Sequence, residues 1–143
     1  MTYDNFTIKA QEAILQAQRI AAGYEQQTVD TIHLIKGVIE TNEDTAKFIL
    51  QKADVNPVLL DRELSREIKS YPRVQGTDKQ YLTNDANAAL SRAKKALKEF
   101  NDEYISAELI LLGIVAGQDK AARVLKELGA TFEKFREAIK SSG

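Results

Sequence analysis

The side chains that could do chemistry in this chain are few. Among 143 residues there is one histidine, His33, with no cysteine and no tryptophan. Nucleophilic catalysis needs a base beside an activated hydroxyl, and no serine here stands in a recognisable nucleophile context. A zinc site draws on several His or Cys ligands, which one His without Cys does not supply. The sequence contains no Gly-x-x-x-x-Gly-Lys-Ser/Thr phosphate loop, no Gly-x-Gly-x-x-Gly turn and no His-Glu-x-x-His pair. Asn42-Glu43-Asp44 is acidic but lacks the alternating ligand spacing of a calcium loop. The expectation is a chain without intrinsic catalysis, metal or cofactor, with His33 as a polar residue in the first turn of a half-buried helix. A small enzyme using His33 and nearby carboxylates stays as a rival that lacks a second catalytic group.

The element around which such residues must be placed is Ile105-Ser106-Ala107-Glu108-Leu109-Ile110-Leu111-Leu112-Gly113-Ile114-Val115-Ala116, the most apolar run in the chain. A helix apolar on nearly every side is a core helix. An earlier stretch, Val29 to Glu40, is similar to it, and Gly37 and Gly113 stand 76 residues apart. The same offset relates Thr7 to Thr83 and Asp30 to Ser106, each a natural N-cap before an amphipathic period. Further on the register slips by one: Ala46 answers Ala121, and Leu50 answers Leu125. Third helices are expected over about Asp44 to Ala53 and Asp119 to Leu128. Fourth helices are expected from Asn56-Pro57 and Thr131-Phe132, where Pro loses nothing at the first helical position. The expectation is an all-α domain of two tandem four-helix repeats, eight helices with pseudo-twofold symmetry. Repeat one covers about 6–70, a connector about 71–81 and repeat two about 82–141. Interior glycines at 37 and 113 imply close approach of a neighbouring helix.

Bulk properties narrow the partners. Twenty basic and twenty-one acidic residues leave a net charge of −1, without the concentrated basic surface that nucleic acid or an anionic membrane requires. The longest apolar run is too short to span a bilayer, and the first residues lack a signal-peptide pattern. A cytoplasmic protein, monomeric as this domain alone, is the simplest expectation.

The two copies differ in one suggestive place. His33 and Lys36 of the first correspond to Leu109 and Leu112 of the second. Either both leucines face the core, or Leu109, one turn from the helix start and close to Asp102, Glu103 and Glu108, lines a groove. Apolar side chains rimmed by charge suit an extended, partly unfolded peptide.

Phe6-Thr7 before the Gln11-Glu12-Ala13 helix, and Val29-Asp30-x-x-His33-Leu34, resemble the amino-terminal domain of Clp/Hsp100 AAA+ chaperones. Pro72-x-Val74-x-Gly76 and the run Asp102-Glu103-Tyr104-Ile105-Ser106-x-Glu108-Leu109 look most like the ClpB-type disaggregases. The resemblance extends from about Phe6 to Ile139. It implies a substrate-binding domain joined to ATPase modules in a hexameric ring, with ATP and magnesium confined to those modules. Its implied partners are unfolded or aggregated polypeptides and, through the full-length protein, an Hsp70 system. It carries functional positions onto Thr7, Asp102 and Glu108, with Leu109 as the apolar groove partner. Asn101 departs from a family glycine, and Asp54 from a glycine that the second copy keeps as Gly129. Without an ATPase module, the sequence is expected to be an excised domain. Docking of an adaptor protein, as in the protease-coupled Clp chaperones, is the alternative function.

Overall fold

The computed structural model describes residues 3–76 and 79–142, so Thr77 and Asp78 of the expected connector lie outside the described residues. The first repeat contains α1 (Ile8–Gly23), β1 (Thr28–Val29), α2 (Thr31–Thr41), α3 (Glu43–Lys52) and α4 (Pro57–Lys69). The second contains β2 (Tyr81–Leu82), α5 (Asn84–Lys95), α6 (Leu97–Phe100), α7 (Ala107–Val115), α8 (Lys120–Glu127) and α9 (Phe132–Ser142). Among the described residues the all-α expectation of eight helices holds, with α5 and α6 taken as one interrupted helix. The extra segment, α6, is a four-residue continuation of α5 beyond Ala96.

The caps form as their residue types dictate. Thr7 Oγ1 accepts from Ala10 N–H and Thr83 Oγ1 from Ala86 N–H, both at 3.0 Å. Ser106 caps α7 through Leu109 N–H, and Asp119 caps α8 through Ala122 N–H. Each satisfies a donor in the first turn that has no partner within the helix. The third helices start and end within about a residue of expectation. Asn42, which precedes α3, makes no side-chain cap.

Helices α2 and α7 form the centre. Every residue of α7 except Glu108 is buried, as are Thr31 to Ile35, Gly37 and Val38 of α2. The two central glycines have matching surroundings. A Cβ on Gly37 would lie 2.3 Å from the carbonyl oxygen of Ala13, and one on Gly113 would lie 2.3 Å from that of Ala89. Ala13 and Ala89 are themselves 76 residues apart, so each first helix crosses its second at the same backbone-to-backbone contact.

The repeats also exchange parts. Helix α3 packs on α9, and α8 packs on α4, so each third helix leans on the fourth helix of the other copy. Two short strands, which periodicity did not reveal because two residues have no period, extend this exchange. β1 pairs in parallel with β2, joining Val29 to Leu82, and an isolated bridge joins Phe6 to Ile105. These pairings are symmetry mates. Thr7 N–H donates to Ile105 O at 2.9 Å, and Thr83 N–H donates to Val29 O at 3.0 Å.

Left-handed backbone recurs in step as well. Glu25 and Asn101, 76 apart, have φ of 57° and 54°; Asp54 and Gly129, 75 apart, have 60° and 104°. Asn101 thus takes the conformation for which a family glycine would be suited. Asp54 ends its helix as Gly129 does, at a steric cost that glycine avoids.

Candidate functional site

At the junction of the repeats the chain builds a polar node. Asp30 accepts from Thr31 N–H at 2.9 Å, from the Thr83 hydroxyl at 2.7 Å and from the Tyr71 hydroxyl at 2.5 Å. Thr31 Oγ1 donates to Asp119 at 2.6 Å. His33 lies beneath, fully buried. Its Nδ1 accepts from Asp30 N–H at 2.9 Å, which leaves the proton on Nε2 to donate to Gln26 Oε1 at 2.7 Å. Gln26 Nε2 in turn donates to Ile68 O at 2.6 Å. Burial pushes the His33 pKa down to about 4, against the opposing charge of Asp30. Burial and its bond to Asp30 push the Tyr71 phenol up. Tyr71 meets the His33 ring edge-on at 5.3 Å, and Lys120 Nζ stands 4.9 Å from the centre of the tyrosine ring. Carboxylate oxygens of Asp30, Asp85 and Asp119 come within 4.8 Å of one another, but hydroxyl and amide donors already engage Asp30 and Asp119. The node is therefore a satisfied joint between copies. His33 completes the capping box of α2 through its bond from Asp30 N–H.

The symmetry-related position is open. A cavity of about 450 Å³ lies between the starts of α1, α3 and α7, lined by Thr7, Lys9, Ser106, Glu108 and the segment Thr41 to Thr45. A second of about 410 Å³ shares Asp44, Thr45 and Glu108 with it, and continues to Phe48, Ser141 and Ser142. Together they form one groove. Its carboxylates, Glu43, Asp44 and Glu108, outnumber the single Lys9.

The structure brings two of the four expected site residues together: Thr7 and Glu108 line this groove. Asp102 is exposed on the turn before Ile105 and does not line it. Leu109 is the correction. It is 0 % exposed, on a helix that packs against α2, α5, α8 and α9, so its side chain offers no surface to a groove. His33 is equally buried, so the His-to-Leu difference between copies reflects the polar node in one and packing in the other. Sequence reasoning missed Lys9, Asn42 to Thr45, Phe48 and Ser106 as lining residues. The signal was the offset itself: Ser106, Thr7, Asp44 and Thr45 are the counterparts of Asp30, Thr83, Asp119 and Lys120.

A separate apolar surface lies on the outer side of α1, where Ile8 is 75 % and Leu15 45 % exposed. With Tyr3 they border a hollow of about 340 Å³. Among the described residues no helix is long and apolar enough to cross a membrane.

Comparison with known proteins agrees with this architecture. The chaperone protein ClpB of Bacteroides thetaiotaomicron is 34% identical over 139 residues, covering 97% of this chain. That of Bacillus cereus is 36% identical over 143 residues, again covering 97% of this chain. The chain spans about 16% of the length of each. Among solved structures, the Hsp104 N-terminal domain from Candida albicans superposes with a TM-score of 0.83 at 22% identity, covering 98% of this chain and 93% of that one. The N-terminal domain of the ClpD chaperone from Arabidopsis thaliana gives 0.73 at 22% identity, covering 99% of both. The family model of the Clp repeat (R) N-terminal domain matches residues 5–128, and this chain, with its duplicated helices and reciprocal strand pairings, belongs to that family.

Proposed function

We propose that this domain binds unfolded or aggregated polypeptide for a ClpB-type chaperone, and that the client engages the groove rimmed by Thr7 and Glu108. The observation that supports the reading is the continuity of the groove. Two cavities sharing Asp44, Thr45 and Glu108 give an open channel from Thr7 to Ser142, with Phe48 as an apolar contact at one end. Such a shape suits an extended segment better than a small ligand, which favours a concave, largely apolar pocket. A shallow, mixed surface offers little to offset the ordering of a flexible client, so affinity is weak and most positions of the client go unread. Assembly into a hexameric AAA+ ring, threading of the client and cooperation with an Hsp70 system belong to this proposal at the level of the longer protein.

Fluorescence anisotropy with an unfolded model protein tests it. Glu108→Arg, which alters a partly exposed side chain on the groove, should change affinity several-fold at an unchanged urea midpoint. Thr7→Ala is a poorer probe, because it also removes the cap on α1. Unfolded protein that binds wild type and Glu108→Arg equally would remove the groove from the account. A folded adaptor that binds there, with no binding of unfolded protein, would replace client capture by adaptor docking.

A further inference from the structure

The groove has a counterpart inside the same molecule, and that counterpart is occupied. In the first copy the connector leaves α4 and seats Tyr71 against Asp30, over His33 and beneath Lys120. Three residues later, Val74 N–H donates to the carbonyl of Glu25 at 2.8 Å. The corresponding positions at the open junction are Ser106, Leu109 and Asn101 of the second copy and Thr45 of the first. Ser106 and Thr45 line the open groove, and Asn101 repeats the left-handed backbone of Glu25. Among the described residues no backbone N–H is bonded to the Asn101 carbonyl.

From this correspondence we infer that the open groove receives an extended segment carrying a tyrosine, seated against Ser106 and Thr45 as the connector's Tyr71 is seated against Asp30 and Lys120. The inference rests on the polypeptide-binding reading and specifies what that groove selects. The tyrosine hydroxyl meets the Ser106 hydroxyl, which accepts from Leu109 N–H at 3.2 Å and keeps a lone pair and its own proton for a partner. A backbone N–H three residues further on reaches the Asn101 carbonyl, as Val74 reaches Glu25. Charge points the same way. The connector runs Tyr71-Pro72-Arg73, and the carboxylates Glu43, Asp44 and Glu108 of the groove, against the single Lys9, favour a cationic residue beside the tyrosine. Ser106 is a weaker acceptor than the Asp30 carboxylate, and Thr45 does not supply the cation of Lys120. The groove therefore holds such a segment reversibly.

The probe is a heptapeptide with the chain's own connector sequence, residues 70–76, titrated into the isotope-labelled domain and followed by NMR. Saturable shifts are expected at Thr7, Thr45, Ser106 and Glu108. A peptide with Tyr71→Phe should bind several-fold more weakly, and one with Tyr71→Ala should not saturate. Ser106→Asp in the domain restores the carboxylate of the occupied seat while preserving a helix cap, and should tighten the peptide several-fold. Equal affinity of the tyrosine and alanine peptides would overturn the inference, as would shifts confined to Asp30, His33 and Lys120. A parallel titration with an unfolded model protein separates the two readings. If that protein binds the groove and the peptide does not, tyrosine selection fails alone; if neither binds, both fail.

Discussion

At the scale of single residues, the contrast between His33 and Leu109 decides most. Both are fully buried at equivalent positions, and neither is available to a client. Leu109→Ser removes core packing and buries a hydroxyl, so it should destabilise the domain by about 3–5 kcal/mol. Glu108→Ala, one residue earlier and partly exposed, should stay within about 0.5 kcal/mol of wild type in a urea titration. His33 adds a pH dependence with a defined sign. Its folded pKa is depressed to about 4, below the unfolded value of about 6.5, so the unfolded state takes up a proton first on acidification. The stabilisation from neutral His33 is complete above about pH 6.5 and is lost as pH falls toward 4, amounting to about 3 kcal/mol. Chemical denaturation between pH 7 and 4.5 should show this slope in wild type, and His33→Gln should lack its histidine component. A slope unchanged by His33→Gln would assign the pH dependence to other groups.

At the scale of elements, the two glycine crossings carry the architecture. Gly113→Ala and Gly37→Ala each drive a methyl group onto a backbone carbonyl, and each should cost about 1–3 kcal/mol through displacement of the paired helix. Gly23→Ala at the end of α1 meets nothing within 4 Å, and should be neutral or stabilising by about 0.5 kcal/mol. Urea midpoints of the three variants check this; equal effects at all three would show that the crossings do not determine stability. These helices were legible in the sequence because caps, apolar period and interior glycines recur at one offset. Helix α6 and the paired strands were not. Leu97 and Phe100 continue the apolar period of α5, so nothing in the sequence marks α6 off at Ala96; strands of two residues have no period, and they form only because the other copy supplies their partner. The burial of Leu109 was not legible for a related reason: acidic neighbours in sequence do not reveal that its side chain, unlike that of Glu108, points into the packed interior.

At the scale of the whole molecule, duplication gives one occupied junction and one open one. The connector fills the first through Tyr71 and Asp30; Thr7, Ser106, Glu108 and the segment before Phe48 leave the second accessible. Of the groove proposed as the site, Thr7 and Glu108 were named at the sequence level, through the family resemblance, and both line it. Most of the rest came from α3 and the turn before it, which meet the starts of α1 and α7 only in three dimensions. The central claim is that this open junction is where polypeptide binds, and NMR shift mapping with an unfolded model protein tests it most directly. The account predicts concentration-dependent shifts at Thr7, Thr45, Phe48 and Glu108, with those around Asp30 and His33 unchanged. Shifts confined to Ile8 and Leu15 on the outer side of α1, with the groove silent, would contradict it.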